Sequence, residues 1–310
     1  MTVRPLVVAI VGPTASGKTA LSLSISERLP AEIVACDSRT IYRYMDIGTA
    51  KPSAAERAHI RHHMLDLVDP DEVYTVAQYK EDGTKAIEDI LSRGRLPIVV
   101  GGTGFYARAL LEGLEIPAVE PQPELRTSLR ELADTEGRPA LHKKLAELDP
   151  VSAARIGVND VFRIIRAIEV SVVCGRPFSD LARRVPPRYD TLWIGLTAAN
   201  RSILYEAIRR RYHDQMAQGM LAEVEGLINR FGHSQSVMNT VNYRELATYL
   251  DGGMTRAEAD QLCVRHNCQL ARRQLIWFRA NPLINWWCVD EIASDELPEA
   301  VLRLIENRRN

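Results

Sequence analysis

LVVAIVGPTASGKTALSLSISERL, residues 6–29, decides the fold. The apolar run LVVAIV reads as a parallel strand buried on both faces, while Leu21, Ile25 and Leu29, spaced four apart, mark the buried stripe of a helix. Between them GPTASGKT fits GxxxxGK[ST], a phosphate cradle. Gly12 and Gly17 let the backbone wrap closely. The N–H groups of Thr14, Ala15, Ser16, Gly17, Lys18 and Thr19 are expected to point into one concavity, with the positive end of the helix dipole aimed at the same place. Lys18 adds a formal charge for a terminal phosphate, and the Thr19 hydroxyl is placed to hold Mg²⁺. A phosphorylated small molecule is the expected ligand.

Outward from this unit, strand and helix signals alternate: a strand at 32–36, a polar loop expected to be extended over 37–53, a helix at 75–93 and the buried strand LPIVV at 96–100. This is the βαβ rhythm of a parallel sheet, giving an α/β fold with a P-loop sheet core and helices on both faces. From the proline-rich IPAVEPQPE the texture changes, and 123–182 is helical throughout until a second hinge, VPPRYD. TLWIGL at 191–196 then resumes the sheet, so 117–190 is expected to be an all-helical insertion into a core made of 1–116 and 191–310. Mostly helical sequence follows over 200–281, with a turn at 251–253.

The chain has 310 residues, 46% hydrophobic and 25% charged, enough for one large core and a subdomain. No segment is apolar enough to span a bilayer, and the start runs directly into the first strand without a signal-peptide pattern. Five cysteines with no CxxC pair read as free thiols in a reducing cytoplasm. His59, His62 and His63 have no accompanying cluster at zinc spacing, so a polar loop is favoured there over a metal site. A net charge of −1 does not announce nucleic acid; the basic runs at 183–184, 209–211 and 272–273, the last preceding Trp277 and Phe278, are more suggestive.

Two further places carry chemistry. Asp37 and Ser38 emerge at the carboxyl end of the second strand, where open parallel sheets bind ligands. Asp37 is suited to hold Mg²⁺ through water or to accept a proton. GGTG, residues 101–104, stands where a nucleotide-hydrolysing enzyme usually carries an acid; the glycines permit close approach of a bulky group and Thr103 can hydrogen-bond it. One of Arg209, Arg210 and Arg211 is suited to bind a leaving pyrophosphate.

GPTASGKT, DSRTIYRYMDIGTAKP, HHMLDLVDP, LPIVVGGTGFYARALLEGL, NDVFRIIRAIEV and RRQLIWFR together resemble the bacterial tRNA dimethylallyltransferase family, in order from about residue 6 to 290. The resemblance implies that the P-loop takes dimethylallyl diphosphate, whose dimethylallyl group moves to N6 of adenosine 37 in tRNA, giving N6-isopentenyladenosine and diphosphate. The absent acid after LPIVV is in keeping with that chemistry, which has no attacking water to place. The implied roles are Asp37 as base; Lys18, Thr19 and Arg211 on the diphosphate, with Gly12 and Thr14 to Gly17 forming its cradle; and Mg²⁺ held partly by Thr19. The implied tRNA contacts are Asp37, Ser38, Arg39, Thr40 and Thr103; Arg126, Phe162, Arg163 and Arg166 in the helical insertion; and Asn239, Asn242, Arg244, Arg272 and Arg273.

The resemblance implies that adenine 37 is flipped out of its stack and that the insertion would clamp the anticodon arm of the tRNA, between hinges formed by the flanking prolines. The chain departs from the common pattern at Thr40, where many relatives have Gln, and at Asn242, where Gly is usual. HNCQLARRQLIWFR also starts with fewer basic residues than is typical. These changes touch expected RNA contacts and leave the diphosphate site alone. A dimethylallyltransferase for free AMP would need neither clamp nor distal basic helix, a small-metabolite kinase would use the insertion as a lid, and a non-catalytic RNA-binding module leaves Lys18, Thr19 and Asp37 unexplained. No exposed apolar helix stripe stands out, so a monomer is expected.

Overall fold

A computed structural model describes residues 4–309. Six strands, β1 (Leu6–Val11), β2 (Ala31–Ala35), β3 (His62–His63), β4 (Leu96–Gly101), β5 (Asp190–Thr197) and β6 (Asn285–Cys288), form one sheet in the order β3-β2-β4-β1-β5-β6, with every neighbouring pair parallel. The helices of the first half are α1 (Lys18–Arg28), α2 (Ala54–His59), α3 (Val76–Ser92) and α4 (Gly104–Leu111). Because successive side chains of a strand point to opposite faces, β1 feeds two cores. Val7, Ala9 and Val11 pack with Tyr79 and Ile87 of α3 and Ala107 and Leu110 of α4. Val8 and Ile10 pack with Leu21 and Ile25 of α1, the stripe expected from the spacing, and with α15 (Glu296–Arg309). Each fully buried side chain such as Ile25 contributes about 2 kcal/mol.

The chain divides into two compact units. The first runs up to Leu111 and resumes at Arg188; the second is Glu112–Pro187. The second unit thus opens five residues before the proline segment at 117, because Leu114 and Arg184 form an antiparallel bridge. Flanking it, Glu115 N–H donates to Arg183 O and Val185 N–H to Gly113 O, which closes the ends of this unit on each other. Inside it α5 (Pro123–Thr135), α6 (Arg138–Leu148), α7 (Pro150–Arg155), α8 (Val161–Cys174) and α9 (Phe178–Leu181) surround Leu129, Leu141, Leu145, Ile164 and Ile168. The first unit continues after β5 with α10 (Arg201–Ala217), α11 (Met220–Phe231), α12 (Gln235–Met238), α13 (Tyr243–Leu250) and α14 (Arg256–Arg279).

The segment 37–53 is not extended, as its polarity suggested. Its buried Ile41, Tyr42 and Met45 pack on α10, α11, α13 and α14, so the turns carry their own apolar anchor. In a parallel sheet all carboxyl ends lie along one edge. The turns after the adjacent strands β2, β4 and β1, which carry Asp37, the GGTG glycines and the P-loop, therefore come together there.

Candidate active site

Gly17 caps α1 with φ 85°, a left-handed conformation that glycine adopts without strain, and swings the preceding turn around the helix N-terminus. Pro13 O accepts both the Lys18 ammonium at 2.6 Å and the Ser16 hydroxyl at 2.9 Å, which pins the turn from within. A cleft of about 300 Å³ is lined by residues 15–20 of this turn and helix and by Ala207, Arg210, Arg211 and Asp214 of α10. Thr14 departs from the expectation. Its N–H is not offered to the concavity but donates to Gln274 Oε1 at 2.8 Å.

Lys18 and Arg211 line this cleft, and Asp37 lies within electrostatic reach of both. Burial, reinforced by the nearby Arg211, pulls the Lys18 ammonium down from 10.5 to about 7, and Asp37 opposes the shift. Burial also lowers Arg211, again opposed by Asp37. The arginine run is thereby resolved: Arg209 is an exposed partner of Glu206 at 4.0 Å, Arg210 is an exposed lining residue, and Arg211 is the one desolvated beside Lys18 and Asp37. Lys18, Arg210 and Arg211 outnumber the carboxylates of Asp214, which lines the cleft, and of Asp37 nearby, so with the N-terminus of α1 the cleft favours an anion.

The loop bearing Asp37 is held from both sides. Arg39 N–H donates to Asp37 Oδ1 at 2.8 Å, and Ser38 N–H donates to Thr103 Oγ1 at 3.0 Å. Thr103 N–H in turn donates to Cys36 O at 3.1 Å. Gly101 is required here, since a Cβ would stand 1.9 Å from Cys36 O. Cys36 itself is inert as a nucleophile, because burial pushes its thiol up to about 12. Gln274, quoted within RRQLIWFR but not singled out there, is the residue that sequence reasoning missed: besides Thr14 N–H it bonds Gly102 O through Nε2 at 3.1 Å. The signal was its place on α14, three residues after buried Ala271 and three before Trp277, which packs against Gly104.

The DIGTAKP segment is organised from a distance. The Glu223 carboxylate accepts N–H bonds from Asp46, Ile47 and Gly48 at 2.8–3.1 Å and the Tyr243 hydroxyl at 2.6 Å. The side chain of Lys51 is 1% exposed and pairs with Asp46 and Asp66. Two of the expected RNA contacts, Thr40 and Asn242, are buried. Thr40 is turned inward, its hydroxyl 3.5 Å from Asp37 O. Asn242 has φ 78°, donates its N–H to Glu245 and accepts from Asn267 at 2.7 Å. A positive φ explains why glycine suits this position; with ψ −48° the residue lies outside the left-handed helical well, so asparagine holds this turn under strain.

Of the remaining expected RNA contacts, Phe162 is 73% exposed and Arg163 stands beside it on the open first turn of α8, 3.4 Å from Asp160. Arg126 and Arg166 are committed inward: both bond the fully buried Glu169, Arg126 with Nε and a terminal nitrogen at 2.7 and 2.8 Å, and Arg166 also bonds Val119 O. Together with Gln122 N–H they hold the Glu169 carboxyl down at about 2 against its burial. Asn239, Arg272 and Arg273 are exposed, while Arg244 pairs with Glu245 at 2.6 Å and Arg39 is half-buried.

Magnesium prefers oxygen ligands, keeps several waters and is usually completed by substrate phosphates. The Thr19 hydroxyl and the Asp214 carboxylate, both lining the cleft, are donors of that kind, so the residues fit an ion that arrives with a diphosphate. Among the described residues no three His, Cys, Asp or Glu side chains form a metal cluster; His63 pairs with Glu32 at 2.7 Å, His62 with Ile60 O. No described helix is long and apolar enough to cross a membrane.

Comparison with known proteins adds three findings. The family model for IPP transferase matches residues 40–281. A tRNA dimethylallyltransferase of Roseiflexus castenholzii is 45% identical over 298 residues, 95% of this chain and 96% of its own; that of Synechococcus elongatus is 40% identical over 99% of this chain and 97% of its own. The crystal structure of the tRNA isopentenylpyrophosphate transferase of Bacillus halodurans superposes with a TM-score of 0.73 at 36% identity, covering 98% of this chain and 96% of that one.

Proposed function

The chain belongs to the IPP transferase family, and from that premise we propose that it transfers the dimethylallyl group of dimethylallyl diphosphate to N6 of adenosine 37 in tRNA. The products are N6-isopentenyladenosine and diphosphate. The observation that carries this reading to the residues is the P-loop cleft lined by Lys18 and Arg211, with Asp37 within electrostatic reach of both: an anion site with a proton acceptor nearby.

Diphosphate binds in the cleft of residues 15–20, where Lys18, Arg211 and the N-terminus of α1 neutralise it. Adenine, flipped from its stack, presents its amine near Asp37. N6 attacks the allylic C1 as the C1–O bond to diphosphate breaks; the bonding pair leaves with the diphosphate, and the N6 proton passes to an Asp37 oxygen. Lys18 and Arg211 take up the charge that develops on the leaving group, and Arg39 N–H keeps the Asp37 carboxylate aimed. Mg²⁺, held by Thr19 with Asp214 at hand, would supply further neutralisation of the diphosphate. Phe162 and Arg163 contribute stacking and phosphate contact to tRNA, and exposed Arg272 and Arg273 add charge. Arg126 and Arg166 serve the helical unit by neutralising Glu169. The protein works as a cytoplasmic monomer.

Incubation with Mg²⁺, labelled dimethylallyl diphosphate and either tRNA carrying A36 and A37 or free AMP tests the proposal. Label recovered as N6-isopentenyladenosine from tRNA alone is expected. Label on AMP alone would transfer the chain to nucleotide modification, and no label on either would refute prenyl transfer.

A further inference from the structure

Resting on the prenyl-transfer reading, we infer that Gln274 is a positioning residue that sets the diphosphate loop in register with the loop carrying Asp37. Its primary amide touches both. Oε1 accepts Thr14 N–H from the P-loop at 2.8 Å and Nε2 donates to Gly102 O after β4 at 3.1 Å. One residue further on, Thr103 Oγ1 accepts Ser38 N–H, adjacent to Asp37. A single side chain thus joins the part of the site that binds the leaving group to the part that receives the proton.

The chemistry at both ends specifies an amide. A donor must face Gly102 O and an acceptor must face Thr14 N–H, and glutamine supplies one of each on a planar group. Glutamate would satisfy Thr14 and set a charged oxygen against a carbonyl; methionine would fill the space and satisfy neither. Gly102 is fitted to this contact, since a Cβ there would lie 2.2 Å from Nε2. The helix that carries Gln274 is itself fixed. Ala271 of α14 packs with Leu204 and Ile208 of α10 and with Ala15 of the P-loop, while buried Phe278 belongs to the sheet core. The amide is therefore held by a rigid element, and it can hold the two loops. Group transfer requires base, acceptor and leaving group aligned at once, and a displacement of about 1 Å costs on the order of 10²-fold in rate. Gln274 makes its contacts to backbone, so its effect falls on alignment rather than on affinity.

Single-turnover transfer, inorganic pyrophosphate affinity and tRNA affinity are measured for the full chain, its Gln274→Met and its Gln274→Glu variants. Thermal unfolding confirms that each variant folds cooperatively. Gln274→Met is expected to slow transfer by roughly 10- to 100-fold while both affinities stay within about threefold. For Gln274→Glu, the rate relative to wild type at the same pH is expected to rise as pH falls, because the protonated carboxyl regains a donor for Gly102 O. Division by the wild-type rate removes the titration of shared groups. A Gln274→Met rate within twofold of wild type, a loss matched by equal losses of both affinities, or a pH-independent Gln274→Glu ratio would each overturn the assignment. Wild type failing to transfer would instead defeat the function on which it rests.

Discussion

Raising the pH from 6 to 8 should weaken diphosphate binding about tenfold through Lys18 alone. With its ammonium at about 7 in the ligand-free protein, roughly nine-tenths of the molecules carry the charge at pH 6 and roughly one-tenth at pH 8. A bound diphosphate provides the counter-charge that the cleft lacks and draws Lys18 back to its charged form, so binding at pH 8 takes up nearly one proton. Arg211, lowered by the same burial, stays charged throughout this range and contributes no pH dependence. Titration calorimetry with inorganic pyrophosphate and Mg²⁺, in two buffers of different ionisation enthalpy, reads both affinity and proton uptake. The ligand's own titration cancels against Lys18→Arg, whose charge does not leave. The ratio of wild-type to variant Kd should climb about tenfold over the interval, about 1.4 kcal/mol. A ratio flat within twofold would refute the desolvated-lysine account. The sign for stability follows from the same shift. Between about 7 and 10.5 the unfolded chain keeps a proton that the folded chain has released, so the Lys18 contribution stabilises the ligand-free fold as pH rises through that window.

Asp37→Asn should slow single-turnover transfer by roughly 10²- to 10⁴-fold while pyrophosphate still binds, as expected for loss of a general base; an intact rate with lost affinity would make Asp37 a metal ligand. Phe162→Ala should weaken tRNA binding by about 1–3 kcal/mol if a base stacks there. Arg163→Ala should reduce the salt dependence of tRNA binding by about one unit of slope, and an unchanged slope would take it out of the RNA footprint. Glu169→Gln tests the helical unit: with the carboxyl held at about 2 against 4.5 when free, its contribution of about 3 kcal/mol is complete above pH 4.5 and is lost as pH falls towards 2. Variant and wild type should differ in denaturant midpoint at pH 7 and converge in acid, and equal midpoints at pH 7 would show the network to be idle.

What the sequence made legible was local. The P-loop, the stripe of α1 and the strands at 96 and 191 each announce themselves within a dozen residues, through glycine spacing or apolar runs. β3, with two residues, and β6, with four, are too short for any periodicity, and their pairing with β2 and β5 becomes visible only in three dimensions. Ion-pair partners were also out of sight. Arg126 and Arg166 are assigned to tRNA by resemblance alone, and that both also pair with Glu169, which lies on the same helix as Arg166 and is wholly buried, is a fact of packing that composition does not show. Asn242 was noticed as a departure from glycine, and its φ supplies the reason. The polar look of 37–53 concealed its packing because the groups that satisfy its backbone, above all Glu223, lie about 175 residues away along the chain.

The missing acid after β4 is better understood as excluded than as lost. At Gly101 a Cβ would collide with Cys36 O, and at Gly102 with the Gln274 amide. The Gln274 amide is the movable end of a side chain, whereas Cys36 O is backbone; at the next residue, Thr103, the hydroxyl is already engaged with Ser38 N–H. A carboxylate at Gly101 therefore has no place unless β2 and β4 separate. Packing has assigned the space to backbone contacts that steady the loop bearing Asp37, which follows the neighbouring strand β2 and lies within electrostatic reach of Lys18 and Arg211. A P-loop cleft with no acid at the end of β4 and a carboxylate within electrostatic reach of its cations favours transfer to an incoming nucleophile over transfer to water. Substituting Gly101 by Asp should accordingly not create a hydrolase: it should displace Cys36 and the loop after it, lowering transfer without raising the release of diphosphate in the absence of tRNA. Faster diphosphate release by that variant would show that the site tolerates the acid and that sterics at the strand end are not what set the reaction.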